Sequence, residues 1–351
     1  MKATEDDTVK KFLCLAVIVV SAAAVATQHA VKGQFKETLR ATLDPALESY
    51  KPPMNVDGEI RSIGADTMED LTKFWIEGFT RAQPRVTFTM EAKASGTAVP
   101  GLTDGKADVG PCAREVLPGE LGPFEKKFGY RPFAVRVAGG SYRTPGKTHA
   151  IAFLVNKDNP IQHLTFAQID SLYSSSPAKP AITTWGQLGL TGEWANKPVV
   201  LWGLIRPNGI AQFISQRTMR DSDYRDGINE RTTVGSLAAL DAVANGVAAD
   251  KYAIGYGGFG NLINGVKAVA LSETANRPYE GTFDAVVQHK YPLSRYIYIY
   301  INRAPGKPID PKVHEYLNYI LSREGQEAVA REGIFLPLTA GMVKAERAKL
   351  Q

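Results

Sequence analysis

The apolar residues of this chain switch repeatedly between a spacing of two and a helical spacing, and that switching limits its fold more than any other feature. Residues 59–65 read as a strand and residues 67–81 as a helix with Leu71, Phe74, Trp75 and Phe79 on one face. Residues 85–94 set Val86, Phe88 and Met90 against polar neighbours, the period of a half-buried strand. A short helix follows Ser95, then a strand over residues 107–110. This order predicts an α/β architecture, a mainly parallel sheet with helices on its faces. A chain of 351 residues with 44% apolar and 22% charged side chains can fill more than one core, so two lobes are expected.

Two further strands, residues 149–156 and 295–302, are almost continuously apolar and are taken as the crossings between lobes; Tyr296, Tyr298 and Tyr300 alternate along the second. Between them lie a helix opened by Thr165 and Gln168 in capping-box spacing, a strand over 198–204, a helix from Gly209, a helix over 236–245 and a strand over 252–256. Asp310-Pro311 opens a helix and Gly333 ends a later one. The expected division is a lead-in over 27–56, a first lobe over 57–150 completed by 297–351, and a second lobe over 151–296. Ahead of these, Lys10 and Lys11, an apolar run over 12–26 and a small-residue end at Ala24-Val25-Ala26 have the order of a secretory signal cleaved before Thr27. The run is short of the roughly 20 apolar residues that cross a bilayer. Cys14 falls at its start, so Cys112 is left as a small buried residue or a free thiol.

A net charge of +5 suits an anionic ligand, but the basic residues form no stripe with interleaved aromatics, and nucleic acid is not expected as a partner. The five histidines show no metal-ligand spacing, no Gly-Lys-Ser/Thr follows a glycine cluster, and no Gly-x-Ser-x-Gly elbow occurs. Gly255-Tyr256-Gly257-Gly258-Phe259-Gly260 fits a dinucleotide fingerprint, yet Gly265 interrupts the helix that a pyrophosphate would need. No cofactor, no metal and no catalysis are expected.

Three places share a layout in which a strand ends, a polar turn follows and a helix begins: Ile63-Gly64-Ala65-Asp66-Thr67-Met68, Ala94-Ser95-Gly96-Thr97-Ala98 and Arg206-Pro207-Asn208-Gly209-Ile210. Helix N-termini present unpaired N–H groups and partial positive charge, so several converging on one cleft make an oxyanion site. Each taken alone is an ordinary cap, and Asp66 with Glu69 also fits a capping box. Arg206 is the best placed residue for a bidentate, permanently charged contact.

With Gly105-Lys106-Ala107-Asp108-Val109-Gly110 and Arg114, Ala253-Ile254-Gly255-Tyr256, Tyr291-Pro292-Leu293-Ser294-Arg295, Ser322-Arg323-Glu324-Gly325-Gln326 and Pro337-Leu338, these motifs fall in family order. From residue 59 to the C-terminus the chain resembles the phosphate-binding proteins of bacterial phosphate ABC transporters. The resemblance implies a two-lobed periplasmic-binding-protein clamp, exported to the periplasm, that captures a small oxyanion and delivers it to an ABC transporter permease as a monomer. A secreted scavenger or sensor with the same clamp is the alternative. It also implies that the ligand meets Thr67, the Met68 amide, Ser95, Asp108 and Arg206, with Gly96 and Thr97 in the second anion loop and Arg114 either a second cation or a surface arginine. Where many family members follow the arginine with serine-glycine-threonine, this chain has Asn208-Gly209-Ile210-Ala211, so Asn208 and the Gly209 and Ile210 amides are left to replace two hydroxyls. A carboxylate facing an anion repels it unless the ligand brings a proton, as phosphate does and sulfate does not. Asp108 is therefore expected either to select protonated oxyanions or to cap the turn before Gly110.

Overall fold

A computed structural model describes residues 39–232, 236–275 and 277–351. The expected signal over residues 1–26, with Cys14, lies outside them. Among the described residues no helix is long and apolar enough to cross a membrane.

The stretch before the first strand is more than a lead-in, because Leu47 and Val56 are buried within the first core. Gln83 accepts from the Val56 amide and donates to the Met54 carbonyl, and Glu324 accepts from the Tyr50 amide. Next come β1 (Gly58–Ala65), α1 (Glu69–Ala82), β2 (Val86–Lys93), α2 (Ala98–Thr103), β3 (Gly110–Cys112), α3 (Pro118–Phe128) and β4 (Phe133–Gly139). β1 pairs in parallel with β2, and Ser62 bridges Val109 in parallel immediately before β3. On α1 the buried residues Leu71, Trp75 and Phe79 recur every fourth position, and Trp75 Nε1 donates to the Gly325 carbonyl at 2.9 Å. Truncating a buried tryptophan of this kind costs about 3 to 5 kcal/mol.

The middle of the chain supplies β5 (Ile151–Asn156), β6 (His163–Thr165), α4 (Phe166–Tyr173), β7 (Val200–Leu204), α5 (Gly209–Thr218), β8 (Asn229–Arg231), α6 (Ser236–Ala249), β9 (Ala253–Gly258), β10 (Val266–Ala268), β11 (Ala270–Ser272) and α7 (Phe283–Val287). Five strands form one sheet in the order β10-β5-β9-β7-β8. β7 runs parallel to β8 and β9, whereas β5 runs antiparallel to β9 and β10. The fingerprint at 255–260 ends β9 in a single 3-10 turn, Phe259–Asn261, with no α-helix behind it to receive a pyrophosphate.

The C-terminal part adds β12 (Tyr296–Ile301), α8 (Pro311–Ile320), α9 (Arg323–Glu332) and α10 (Ala340–Ala348). β12 lies between β3 and β4, antiparallel to both. The two strands expected as crossings, β5 and β12, both run antiparallel to their neighbours. One core gathers apolar residues from 150–293 with Leu336. The others gather residues from 47–138 and 297–350.

Candidate functional site

Parallel strands followed by helices leave their carboxyl ends open, and ligands of α/β sheets bind there. Here a cavity of about 290 Å³ collects the ends of three strands: Asp66 and Thr67 after β1, Ser95 and Gly96 after β2, and Ala113 and Arg114 after β3. The second core contributes Asn208, Gly209 and Ile210 at the start of α5. The segment leading into β5 adds Gly146, Thr148 and His149, and Arg295 stands immediately before β12. This entry segment is tied to the anion loops, since Lys147 Nζ donates to the Thr67 carbonyl at 2.6 Å and the Thr148 hydroxyl to the Ala113 carbonyl.

The donors are set by local bonding. Ser95 Oγ accepts the Ala113 amide at 3.1 Å, which leaves its hydroxyl proton for another acceptor. Asn208 Oδ1 accepts from the Ile210 and Ala211 amides, so its Nδ2 remains a donor while the Ile210 amide is already engaged. The Arg114 guanidinium grips Glu120 at 2.9 and 2.5 Å, and a Cβ at Gly96 would lie 2.9 Å from Glu120 and 3.3 Å from Arg114. Burial opposes the Glu120 carboxylate, but the Arg114 guanidinium and the Leu117 amide outweigh it and hold its pKa below the usual value. Arg295, 5% exposed, pairs with Glu115 at 2.7 Å and stacks over Phe213 of α5. Burial, reinforced by the Arg295 charge, pushes the His149 pKa down to about 3, so this imidazole is neutral. Thr67 Oγ1, both His149 nitrogens and Arg295 Nε are buried without a hydrogen-bond partner. Such groups are costly unless a ligand or water meets them.

Thr67, Ser95, Gly96, Arg114, Asn208 and Gly209 therefore come together around one cavity, and the other expected residues do not. Met68 is fully buried in the first core. The Thr97 hydroxyl donates to the Ala94 carbonyl within its own turn. Asp108 stands at the wrong end of its strand: it precedes β3, whereas the cavity lies beyond the end of β3 at Ala113 and Arg114. Its carboxylate accepts the Arg61 amide at 2.8 Å and two guanidinium N–H groups at 3.1 and 2.8 Å. Burial raises its pKa, but the Arg61 hydrogen bonds prevail and keep it below the usual aspartate value. Arg206 turns outward, donates to Glu230 through Nε and Nη2 at 3.1 and 2.6 Å, and lies over the Tyr224 ring. The Asp66–Glu69 capping box is also absent, because Asp66 accepts the Thr67 amide and Glu69 pairs with Lys73.

The family profile of the PBP superfamily domain matches residues 51–324. Over 304 residues the chain is 38% identical to the phosphate-binding protein PstS of Pseudomonas aeruginosa, covering 86% of this chain and 89% of that protein. This chain belongs to the PstS family of the PBP superfamily. A more distant relative, protein SphX of Synechococcus elongatus, is 22% identical over 284 residues, 79% of this chain and 77% of that one. The PBP fold is matched in solved structures as well. PstS from Borrelia burgdorferi superposes with a TM-score of 0.53 at 16% identity, covering 81% of this chain and all of that one. An ABC-type phosphate transport receptor from Vibrio cholerae gives 0.50 at 18% identity, covering 79% and 100%.

Asp66, Thr148, His149 and Arg295 line the cavity without having been expected there. One signal for the last two exists in the sequence: His149 and Arg295 each stand just before a nearly all-apolar strand, where a buried polar side chain needs a reason. Cys112, by contrast, is a buried free thiol whose pKa burial pushes up to about 11.

Proposed function

We propose that this chain is an extracytoplasmic solute-binding protein that captures inorganic phosphate in this cavity and delivers it to an ABC transporter permease, working as a monomer without chemistry on the ligand. The observation that carries the reading is the convergence of Arg114, the Ser95 hydroxyl and the Asn208 amide group from both cores on one cavity. Membership of the PstS family supports phosphate as the oxyanion. The two cores are read as lobes, residues 47–150 with 297–351 and residues 151–296, which close on the ligand by a hinge at the entries to β5 and β12. Calorimetry of the exported chain against phosphate, sulfate, methylphosphonate and molybdate tests it. One phosphate should bind per chain, and phosphate should also raise the melting temperature. A chain that binds another of these anions and ignores phosphate would refute the assignment.

A further inference from the structure

Two neighbouring residues ahead of β5 reach the loops that follow β1, β2 and β3. Lys147 Nζ donates to the Thr67 carbonyl at 2.6 Å, and the Thr148 hydroxyl donates to the Ala113 carbonyl. Ala113 in turn gives its N–H to Ser95 Oγ at 3.1 Å, and the next residue is Arg114. Thr148, Ala113 and Ser95 thus form one bonded path along the cavity wall, from the crossing between the cores to a donor for the ligand. Thr148 holds its end of this path with an unusual backbone. Its φ is 53°, and of the four non-glycine residues with positive φ among the described residues it alone is β-branched. A left-handed backbone crowds a branched side chain, so it persists only where the surroundings over-determine it. They do so here. Thr148 is 5% exposed, Ser141 donates its amide to the Lys147 carbonyl and accepts that of Ala150, each at 3.0 Å, and a Cβ on Gly140 would overlap the Thr148 carbonyl.

We propose that Thr148 is a positioning residue that ties the hinge to the ligand: its hydroxyl, presented by a left-handed backbone, grips the Ala113 carbonyl and so keeps Ser95 and Arg114 aimed into the cavity. The inference rests on the phosphate-clamp reading and goes beyond it by naming the residue through which opening at the crossing loosens the ligand. The grip and the backbone oppose each other. The hydrogen bond satisfies a carbonyl in a buried place, whereas the left-handed backbone is relieved as soon as Thr148 moves away with β5. Opening therefore exchanges a hydrogen bond for relief of strain, and in the same movement it frees the turn that carries Ala113 and Arg114 and the Ser95 hydroxyl bonded to it. Release of the ligand and movement of the hinge become one event, so loss of the grip should appear chiefly in the dissociation rate.

Three variants of the full exported chain separate the hydroxyl from the backbone: Thr148→Ser, Thr148→Ala and Thr148→Gly. Each is loaded with radiolabelled inorganic phosphate and chased with unlabelled phosphate to read the dissociation rate, and its melting temperature is taken without ligand. Thr148→Ser keeps the hydroxyl and should release phosphate within about threefold of the wild-type rate. Thr148→Ala and Thr148→Gly should both release it about tenfold faster, since each leaves the Ala113 carbonyl without its donor. Their stabilities should nevertheless differ, with Thr148→Gly melting above Thr148→Ala because glycine takes a positive φ without strain. Equal dissociation at unequal stability is what a purely structural residue would not produce. If dissociation instead follows the melting temperatures, with glycine restoring the slow wild-type rate, Thr148 only shapes the backbone and the proposal falls. It falls equally if Thr148→Ala releases phosphate at the wild-type rate, or if Thr148→Ser releases it as fast as Thr148→Ala. A wild type that binds no phosphate overturns the functional reading and this assignment with it.

Discussion

Arg114 and Arg206 both lie near the start of α5, yet they face different things. Arg114 passes so close to Gly209 that a Cβ there would lie 3.2 Å from its Cδ, and its guanidinium is fixed at the cavity wall by Glu120. Arg206 is 38% exposed and committed to Glu230 on β8. Arg114→Ala is therefore expected to weaken phosphate binding by about 2 to 5 kcal/mol, the range for removing one partner of a desolvated charge contact. Arg206→Ala should stay within about twofold of wild type, as expected for an exposed ion pair. Titration calorimetry on both variants decides between them, and the opposite ranking would return the site to Arg206. Removing Arg114 also leaves Glu120 partly buried without its cation. Arg114→Ala/Glu120→Ala should accordingly recover stability but not binding.

At the scale of elements, α5 shows how one residue serves a helix and a ligand together. Asn208 Oδ1 satisfies the Ile210 and Ala211 amides, the ordinary work of an N-cap, while Nδ2 keeps its donors on a residue that lines the cavity. Two substitutions separate these tasks. Asn208→Ala should cost about 1 kcal/mol of stability through the lost cap. Asn208→Asp should retain the cap and the stability, yet bind phosphate at least as poorly as the alanine variant, because it replaces a donor with a negative charge. Denaturant midpoints and phosphate affinities measured on the same preparations test both halves; good binding by Asn208→Asp would take this helix start out of the site. Strand direction acts at the same scale. Gly105 to Gly110 leads into β3 and Ala113-Arg114 leaves it, so one short strand separates the carboxylate bonded to Arg61 from the arginine at the cavity.

For the whole molecule, a buried histidine stands just before one crossing strand and a half-buried one lies against the other. His149 precedes β5, and His289 stacks on Tyr296 of β12 with ring centroids 5.1 Å apart. Burial is the leading cause of both depressed values, about 3 for His149 and about 4 for His289, against an ordinary 6.5. Between the ordinary and depressed values the unfolded chain binds protons that the folded chain does not. The contribution is therefore fully present above pH 6.5 and is lost as pH falls toward the folded values. Each histidine should account for roughly 1 to 2 kcal/mol of lost stability between pH 6.5 and about pH 5. His289→Gln should remove its share of that slope in denaturant titrations across this range. A slope unchanged in the variant would mean that His289 does not remain neutral in the fold. The depressed carboxylates of Asp108, Glu120 and Glu324 act at lower pH, as pH falls through their own values.

Local chemistry was legible in the sequence wherever a few neighbouring residues decide the outcome. The Thr165–Gln168 box, the Asp310 cap before Pro311, the left-handed Gly333 at φ 81° and the apolar face of α1 all depend on residues within one or two turns. The family order of the motifs was legible for the same reason, and so were the three turns that carry Thr67, Ser95 and Asn208, whereas Arg114 was left open between a second cation and a surface arginine. Side-chain direction was not legible. Whether Arg206 faces the cleft or Glu230, and whether Asp108 meets a ligand or Arg61, is settled by partners 24 and 47 positions away. Equally, Arg295 and His149 become cavity residues only because the chain crosses between the cores beside them. A sequence specifies the donors and the turns that present them; only the packing of distant strands decides which donors find an internal partner and which are left for a ligand.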